Sequence, residues 1–257
     1  MSRWTEIVET RCGPMVINRF DEFVGRSLKI YGEYSPAEID LFGQLLRPGD
    51  VVVEGGSNIG AHTVELSNMV GPTGVVFAFE PQRLVHQMLC ANITLTECTN
   101  VVAFRAALGK EHGTIQVPAL IPNRRTNFGA ITMEGVQNGE PTMLMTIDGL
   151  RLPACRLIKL DIEGMETEAL QGAAETIERY RPYLYVENDR SHRSFDLMAQ
   201  LQAMNYVIHR HDTPLYPGPK NYTGCAVDVF GLAGFSFNLF CQPAEAKEGV
   251  TNAPPSR

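Results

Sequence analysis

The segment VVVEGGSNIG, residues 51–60, joins a short apolar run to a glycine-rich turn. Three β-branched residues in succession predict a strand that is buried on both faces, as in a parallel sheet. A helix is predicted directly after the turn, over residues 59–69. Glycines allow a ligand to approach the backbone closely, and the free N–H groups of a helix start attract a carboxylate or phosphate. The segment therefore predicts a strand, a turn that binds a ligand, and a helix.

The same alternation of strand and helix continues on the C-terminal side. Apolar runs predict further strands at residues 75–79, 101–107, 157–160 and 183–186, with helices between most of them. Two last strands, predicted at 206–209 and 226–232, have no helix between them, which favours an antiparallel pair. Alternating units of this kind predict an α/β fold, with a mostly parallel sheet and helices on both faces.

The chain divides into three predicted parts. Residues 1–46 are predicted as an N-terminal helical extension, residues 47–243 as the α/β domain, and residues 244–257 as a disordered tail. A long segment at about 119–141 is predicted as a loop. Loops of this length in a compact domain are often functional, so we expect residues 127–129 to line a ligand pocket.

The composition excludes several classes of protein. Lys and Arg total 22 against 29 Asp and Glu, a net charge of −7, so general binding to nucleic acid is not expected. The sequence shows neither a signal peptide nor an apolar run long enough to span a membrane. Its six cysteines are scattered, with no zinc-ligand spacing, which is typical of reduced thiols. These features predict a cytoplasmic protein.

An acidic residue follows the second predicted strand. Glu80 lies 20 residues after Gly60, an offset at which a carboxylate reaches the hydroxyl groups of a bound ribose. A dinucleotide motif needs a glycine where this chain has Ser57, because a side chain there crowds the pyrophosphate. S-adenosylmethionine has no pyrophosphate. The spacing therefore favours this methyl donor over NAD.

The predicted cofactor site consists of residues that follow the first strands. Backbone groups of the turn would bind the carboxylate of the donor, and Glu54 would offset its positive charge. Asp161, at the end of the fourth strand, is expected to face the same cleft. The full predicted set is Glu54, Gly55, Gly56, Ser57, Asn58, Gly60, Glu80, Pro81, Ala107 and Asp161.

Acidic residues also follow the fourth and fifth predicted strands. Asp161 and Glu163 end one strand and Glu187 ends the next, so the topology should bring them together. We predict these three as catalytic residues. We interpret Glu166 as a residue at the start of a helix, where the helix dipole stabilises a negative charge. Three roles are open for the cluster: contact with the donor, removal of a proton from the methyl acceptor, or binding of a divalent metal. The sequence does not favour the metal, because no ligand-rich spacing marks a site.

These motifs together resemble the FkbM family of methyltransferases. The resemblance rests on residues 51–60, FAFEP at 77–81, Asn92, LIKLDIEGME at 157–166 and LQGA at 170–173. One position differs, because the family usually has Asp where this chain has Glu54. The resemblance implies a Rossmann-like class I methyltransferase fold with a seven-stranded sheet. It also implies dependence on S-adenosylmethionine and, in most members, methylation of hydroxyl groups on sugars or other metabolites.

The expected acceptor is therefore a small molecule or a glycan. Two alternatives remain: an NAD-dependent oxidoreductase, and a non-catalytic nucleotide-binding module of the same fold. His62 follows the glycine turn, and we interpret it as a packing or surface residue rather than a ligand-binding one. The sequence does not set the oligomeric state or the identity of the acceptor.

Overall fold

The computed structural model describes residues 4–129, 136, 138–231 and 234–246. Its strands are β1 Thr5–Thr10, β2 Gly13–Asn18, β3 Val51–Gly55, β4 Val75–Phe79, β5 Val101–Phe104, β6 Ala106–Leu108, β7 Gly113–Val117, β8 Glu140–Met145, β9 Leu157–Leu160, β10 Tyr183–Glu187, β11 Tyr206–Pro214 and β12 Phe235–Pro243. Its helices are α1 Val24–Tyr31, α2 Pro36–Leu45, α3 Ala61–Val70, α4 Arg83–Leu95, α5 Glu166–Gln171, α6 Ala174–Tyr180 and α7 Ser191–Ala203, and a 3₁₀ helix covers Asp148–Leu150.

A seven-stranded sheet forms the centre of the fold, in the order β11-β12-β10-β9-β3-β4-β5. The pairs from β10 to β5 are parallel, whereas β12 is antiparallel to both of its neighbours. The predicted fold class is confirmed, and an antiparallel strand at the C-terminal end of the chain belongs to the sheet. Two smaller sheets, β1-β2 and β6-β8-β7, extend this predicted architecture. The predicted third strand is divided, because β6 leaves the central sheet and pairs with β8.

Helices cover the sheet on both faces. On one face α2 and α3 pack against Val52, Val76, Leu157, Tyr185 and Phe240. On the other face, α5, α6 and α7 bury the side chains that alternate with these, such as Val53, Ile158 and Val186. Since successive side chains of a strand point to opposite faces, a continuous apolar strand satisfies both layers.

The N-terminal extension contains more than helices. It begins with the antiparallel hairpin of β1 and β2, which the sequence analysis did not predict, and α1 and α2 follow. Asn92 of α4 attaches this hairpin to the domain. Its Oδ1 accepts from the Val16 N–H at 2.6 Å, and its Nδ2 donates to the carbonyls of Val16 and Ile59 at 3.0 and 2.7 Å. One buried amide thus connects the hairpin, α4 and the glycine turn.

The predicted last strand was wrong in its position. Residues 226–231 do not form a strand, and the strand that pairs with β10 and β11 is β12, Phe235–Pro243. The side chain of Asp228 accepts from the N–H groups of Phe230 and Gly231, at 2.8 and 3.0 Å. A carboxylate that binds the backbone ahead of it stabilises a turn, which competes with a strand.

The predicted tail falls largely outside the described residues, since 247–257 are not among them. The predicted domain boundaries, between residues 46 and 47 and between residues 243 and 244, stay predictions. The last strand, β12, ends at Pro243, next to the second of them. Within the described ranges, no helix is both long and apolar enough to cross a bilayer.

We predict that Asn92→Leu strongly destabilises the protein. The substitution nearly keeps the volume but removes the partner of the partly buried N–H and carbonyl of Val16 and of the buried carbonyl of Ile59, which costs roughly 2–5 kcal/mol in total. Urea denaturation measures this loss as a lower free energy of unfolding. Gln202→Leu, at an exposed position of α7, is the control and should change stability little. Equal stability of both variants would contradict the structural role of Asn92.

Candidate active site

The carboxyl ends of the central strands open into one cavity of about 440 Å³. This volume is typical of a small-molecule or cofactor site. Most residues of the predicted site line it: Glu54, Gly56, Ser57, Asn58, Glu80, Pro81, Ala107, Asp161, Glu163 and Glu187. Gly55 and Gly60 are not among the lining residues; they shape the turn instead.

The turn after β3 requires glycine at Gly56. Its φ is +76°, and a Cβ atom there would lie 1.7 Å from the carbonyl oxygen of Asp161. A side chain is therefore incompatible with the contact between this turn and the end of β9. The carboxyl ends of β3 and β9 meet closely only because Gly56 has no side chain.

Glu80 is buried beside this turn, with 4% of its surface exposed. One carboxylate oxygen accepts from the N–H of Asn58 at 3.0 Å, and the other from the N–H of Gln82 at 2.8 Å. Burial raises the pKa of Glu80 to about 7, although both N–H groups oppose the shift. These two bonds fix the carboxylate at the cavity wall, and each oxygen retains a lone pair for a ligand.

Glu54 lies at the floor of the cavity and is 1% exposed. Its Oε2 accepts from Oγ1 of Thr63 at 2.6 Å, whereas Oε1 has no hydrogen-bond partner within the described part of the chain. Burial raises the pKa of Glu54, and the charge of Lys159 opposes this shift. A buried oxygen without a partner is suited to a ligand that donates a hydrogen bond.

Lys159 is a buried cation on β9. It pairs with Glu54 of the neighbouring strand β3, so the two side chains lie on the same face of the sheet. Its Nζ lies 3.3 Å from Oδ2 of Asp161. Burial alone would lower the pKa of Lys159, but the charges of Asp161, Glu54 and Glu38 raise it instead. The ammonium therefore stays charged and holds Asp161 at the rim of the cavity.

The predicted acidic cluster is assembled in the structure. One carboxylate oxygen from each of Asp161, Glu163 and Glu187 lies within 4.8 Å of the other two. Arg190 donates to Glu163 at 2.6 Å, while Oε2 of Glu187 is buried with no partner among the described residues. Burial, then the charge of Asp161, raises the pKa of Glu163 to about 8. The same two causes raise the pKa of Glu187 well above its usual value.

Three negative charges at this distance repel one another, so the cluster retains at least one proton near neutral pH. Carboxylate oxygens also suit a hard divalent cation or an ammonium group. The three roles predicted for the cluster thus remain open.

Glu166 is not part of the catalytic set. It is the first residue of α5, and its carboxylate accepts from the N–H groups of Ile162 and Gly164 at 3.1 and 3.2 Å. It stabilises the turn that carries Glu163, whose φ is +60°.

Several residues of the cavity are not predicted from the sequence. Gln82 lines it with an unpartnered, buried Oε1, while its Nε2 donates to the carbonyl of Phe128 at 3.0 Å. His62, interpreted from sequence as a packing or surface residue, also lines the cavity and is 5% exposed. Gln82 lies two residues after Glu80, and this position near a strand end is the sequence signal that could have predicted it as a cavity residue. The sequence contains no such signal for the cavity residues that lie outside the alternating strand and helix segments.

Those remaining residues come from the N-terminal extension and from around β12. They are Phe23, Val24, Tyr34, Leu215, Phe235, Ser236 and Phe237. In the long loop, Asn127 and Gly129 line the cavity and Phe128 is buried, whereas residues 130–135 and 137 lie outside the described part.

The mostly parallel seven-stranded sheet, with β12 antiparallel within it and a glycine turn and an acid at adjacent strand ends, agrees with a Rossmann-like class I methyltransferase fold. The sequence profile of the FkbM methyltransferase domain matches residues 54–208, more than half of the chain. The chain therefore belongs to the FkbM methyltransferase family. No curated protein matches the sequence at a significant level.

Solved structures from three organisms are similar to this chain. The FkbM methyltransferase from Methylobacillus flagellatus KT is 20% identical, with a TM-score of 0.48 over 79% of this chain and 50% of that one. This chain thus spans about half the length of that protein. An S-adenosylmethionine-dependent O-methyltransferase from Thermotoga maritima is 14% identical, with a TM-score of 0.50 over 95% and 79%. Trm5b from Pyrococcus abyssi is 11% identical, with a TM-score of 0.51 over 94% and 56%.

We predict that Glu163→Gln changes how stability depends on pH. The folded-state pKa of Glu163 is raised above its ordinary value of 4.5, so its contribution to stability is complete below about pH 4.5. That contribution is lost as the pH rises through about 8. Glutamine resembles the protonated acid at every pH. Relative to the variant, the ligand-free wild type should therefore lose free energy of unfolding between pH 5 and pH 9.

Urea denaturation at pH 5, 7 and 9 measures this difference. Glu178→Gln is the control, because Glu178 is exposed on α6, and it should follow the wild type at each pH. Parallel curves for wild type and Glu163→Gln would show that burial does not favour the protonated acid.

Proposed function

We propose that this protein transfers a methyl group from S-adenosylmethionine to a hydroxyl group of a sugar or another small metabolite. The observation that carries the proposal is the cavity itself. It combines the glycine turn, the fixed carboxylate of Glu80 and the cluster of Asp161, Glu163 and Glu187 at the ends of four adjacent strands.

The cavity suits the donor chemically. Glu54 and Gln82 each bring a buried oxygen that lacks a partner within the described residues, and both residues line the cavity. S-adenosylmethionine offers an ammonium group, two ribose hydroxyls and an adenine amino group, which all donate hydrogen bonds. Buried acceptors of this kind are stabilised by such donors. We assign the ribose to Glu80 and the amino-acid end to the turn and Glu54.

The glycine turn also supports the donor over a dinucleotide. Ser57 occupies the middle position of the turn, is 3% exposed, and donates from Oγ to the carbonyl of Glu54 at 3.2 Å. Its side chain stands where a pyrophosphate would need a glycine. This contact favours the methyl donor over NAD.

When bound, S-adenosylmethionine supplies an electrophilic methyl group on a positively charged sulfur. The protein must then orient the acceptor hydroxyl and receive its proton. Asp161 and Glu187 lie on one face of the sheet and Glu163 beside them, so we assign them to these tasks. Lys159 fixes Asp161 and Arg190 fixes Glu163, which holds the oxygens in place. The buried oxygen of Glu187 remains available to the acceptor.

We predict that Glu80→Ala weakens binding of S-adenosylmethionine. Losing a charge-assisted hydrogen bond costs roughly 1–3 kcal/mol, which is about a 5- to 150-fold rise in Kd. Titration calorimetry of the purified protein with the donor measures this change, and NAD serves as the comparison ligand. Glu97→Ala, an exposed glutamate after α4, should bind the donor like the wild type. Tighter binding of NAD than of the donor would refute the proposed function.

We predict that Asp161→Asn lowers both donor affinity and methyl transfer. The amide keeps the size of the side chain but loses the charge that pairs with Lys159. Donor affinity should fall about tenfold, as measured by calorimetry. Turnover at saturating donor should also fall, measured as the mass gain of one methyl group on an acceptor found by screening hydroxyl compounds. Asp196→Asn, at an exposed position of α7, is the control.

The three roles of the cluster give different results in this variant. A donor contact lowers affinity and leaves saturated turnover intact. A general base lowers turnover by about a hundredfold or more with affinity preserved. A metal ligand makes wild-type activity sensitive to chelator and recoverable with magnesium or manganese. Unchanged affinity and unchanged turnover would contradict every role.

A further inference from the structure

One wall of the cavity comes from chain segments outside the FkbM match. The match covers residues 54–208, whereas Phe23 and Tyr34 precede it and Leu215, Phe235 and Phe237 follow it. Four of these five side chains are apolar. Phe235 and Phe237 are 49% and 43% exposed, so large aromatic surfaces face the solvent at the cavity. An exposed apolar surface at a binding site is suited to an apolar ligand.

Contacts between the two segments hold this wall in place. The Tyr31 hydroxyl donates to the carbonyl of Val227 and accepts from the N–H of Val229, both at 2.9 Å. The rings of Phe23 and Phe230 stack with centroids 5.7 Å apart. The N-terminal extension and the segment before β12 therefore form one structure rather than two separate loops.

Two polar groups interrupt the apolar wall. The rings of Tyr34 and His62 lie against each other with centroids 5.3 Å apart, and both residues line the cavity. Among the described residues, Nε2 of His62 is buried and has no hydrogen-bond partner, and the Tyr34 hydroxyl is a second neutral polar group beside it. Burial, then the charge of Lys159, lowers the pKa of His62 well below its usual value, so the ring is neutral.

These groups line the same cavity as Asp161, Glu163 and Glu187. The charge of Asp161 is, after burial, the largest influence that raises the pKa of Tyr34, and Glu187 contributes as well. Asp161 and Glu187 are the residues to which we assign the acceptor hydroxyl. A neutral hydroxyl and a neutral imidazole there can bind a hydroxyl group without adding charge.

We propose that this wall is the acceptor subsite, and that the methyl acceptor is a hydroxyl compound with an apolar body. Tyr34 and His62 bind its hydroxyl end, and Phe23, Leu215 and Phe235 contact its body. This inference rests on the proposed function and narrows the class of acceptor. A free sugar carries hydroxyl groups on every side, so it has no large apolar surface to pack against the aromatic rings. Tyr34 and His62 thus act as specificity-determining residues.

The test uses two probes on the full chain saturated with S-adenosylhomocysteine, the demethylated product of the donor. One probe is 2-naphthol, which has a single hydroxyl on an apolar body, and the other is methyl α-glucoside. Saturation-transfer NMR titrations measure the affinity for each. We expect 2-naphthol to bind at least tenfold more tightly than the glucoside.

Two variants then test the polar groups. Tyr34→Phe and His62→Phe should each weaken binding of 2-naphthol about five- to tenfold, which corresponds to one lost hydrogen bond. His62→Gln, which keeps a polar group near the position of Nε2, should restore most of the affinity. Tyr222→Phe and His209→Phe, at exposed positions that do not line the cavity, are the matched controls. Thermal melting checks that each variant is folded.

Each result decides the inference. Equal or tighter binding of the glucoside, or failure of 2-naphthol to bind while S-adenosylhomocysteine binds, would overturn it and leave the proposed function standing. Unchanged affinity for 2-naphthol in both variants would also overturn it. An equal fall in affinity for S-adenosylhomocysteine would assign Tyr34 and His62 to the donor instead. Failure of the wild type to bind S-adenosylhomocysteine would refute the proposed function itself.

Discussion

The ammonium of Lys159 is buried at the centre of the sheet, and the arrangement of the site depends on it. Its neighbours on the same face are Glu54 across the strand pair, Asp161 two residues along the strand and Glu38 of α2. Any one of these carboxylates alone would be expensive to bury. Together with one cation they form a polar group in a sheet whose two faces are otherwise packed mostly with apolar side chains. This group fixes the positions of the carboxylates at the floor and rim of the cavity.

The carboxylates outnumber the cations around the cavity, and this excess has a chemical consequence. Lys159 pairs with Asp161 and Arg190 with Glu163, whereas the cavity is also lined by the carboxylates of Glu54, Glu80 and Glu187. Burial and mutual repulsion raise the pKa values of Glu163 and Glu187, so the ligand-free site retains protons. A ligand that brings a sulfonium and an ammonium would supply the missing positive charge and favour release of those protons. The electrostatics of the site and the charge of the proposed donor are therefore complementary.

The two halves of the cavity have different origins in the chain. Strand ends within residues 54–208 supply the glycine turn, Glu80 and the acidic cluster, and this is the part that matches the FkbM family. The N-terminal extension and the region around β12 supply the apolar wall. Asn92 attaches the hairpin to α4, and Tyr31 attaches α1 to the segment before β12, so both additions are anchored on the same core. We propose that the first half binds the donor and that the second selects the acceptor.

The sequence alone determined the α/β class, the strand–turn–helix unit at 51–60 and the positions of Glu80 and Asp161. These follow from local rules: apolar runs form central strands, and parallel strands place the residues after them at one edge. Other features needed the tertiary structure, because they depend on contacts between distant residues. The β1-β2 hairpin is stabilised by an amide 76 residues away in the chain, and residues 226–231 turn instead of forming a strand because Asp228 binds the backbone ahead of it. His62 became a cavity residue only when Tyr34 and Phe42 packed around it, and a histidine on a helix carries no sequence signal for such an environment.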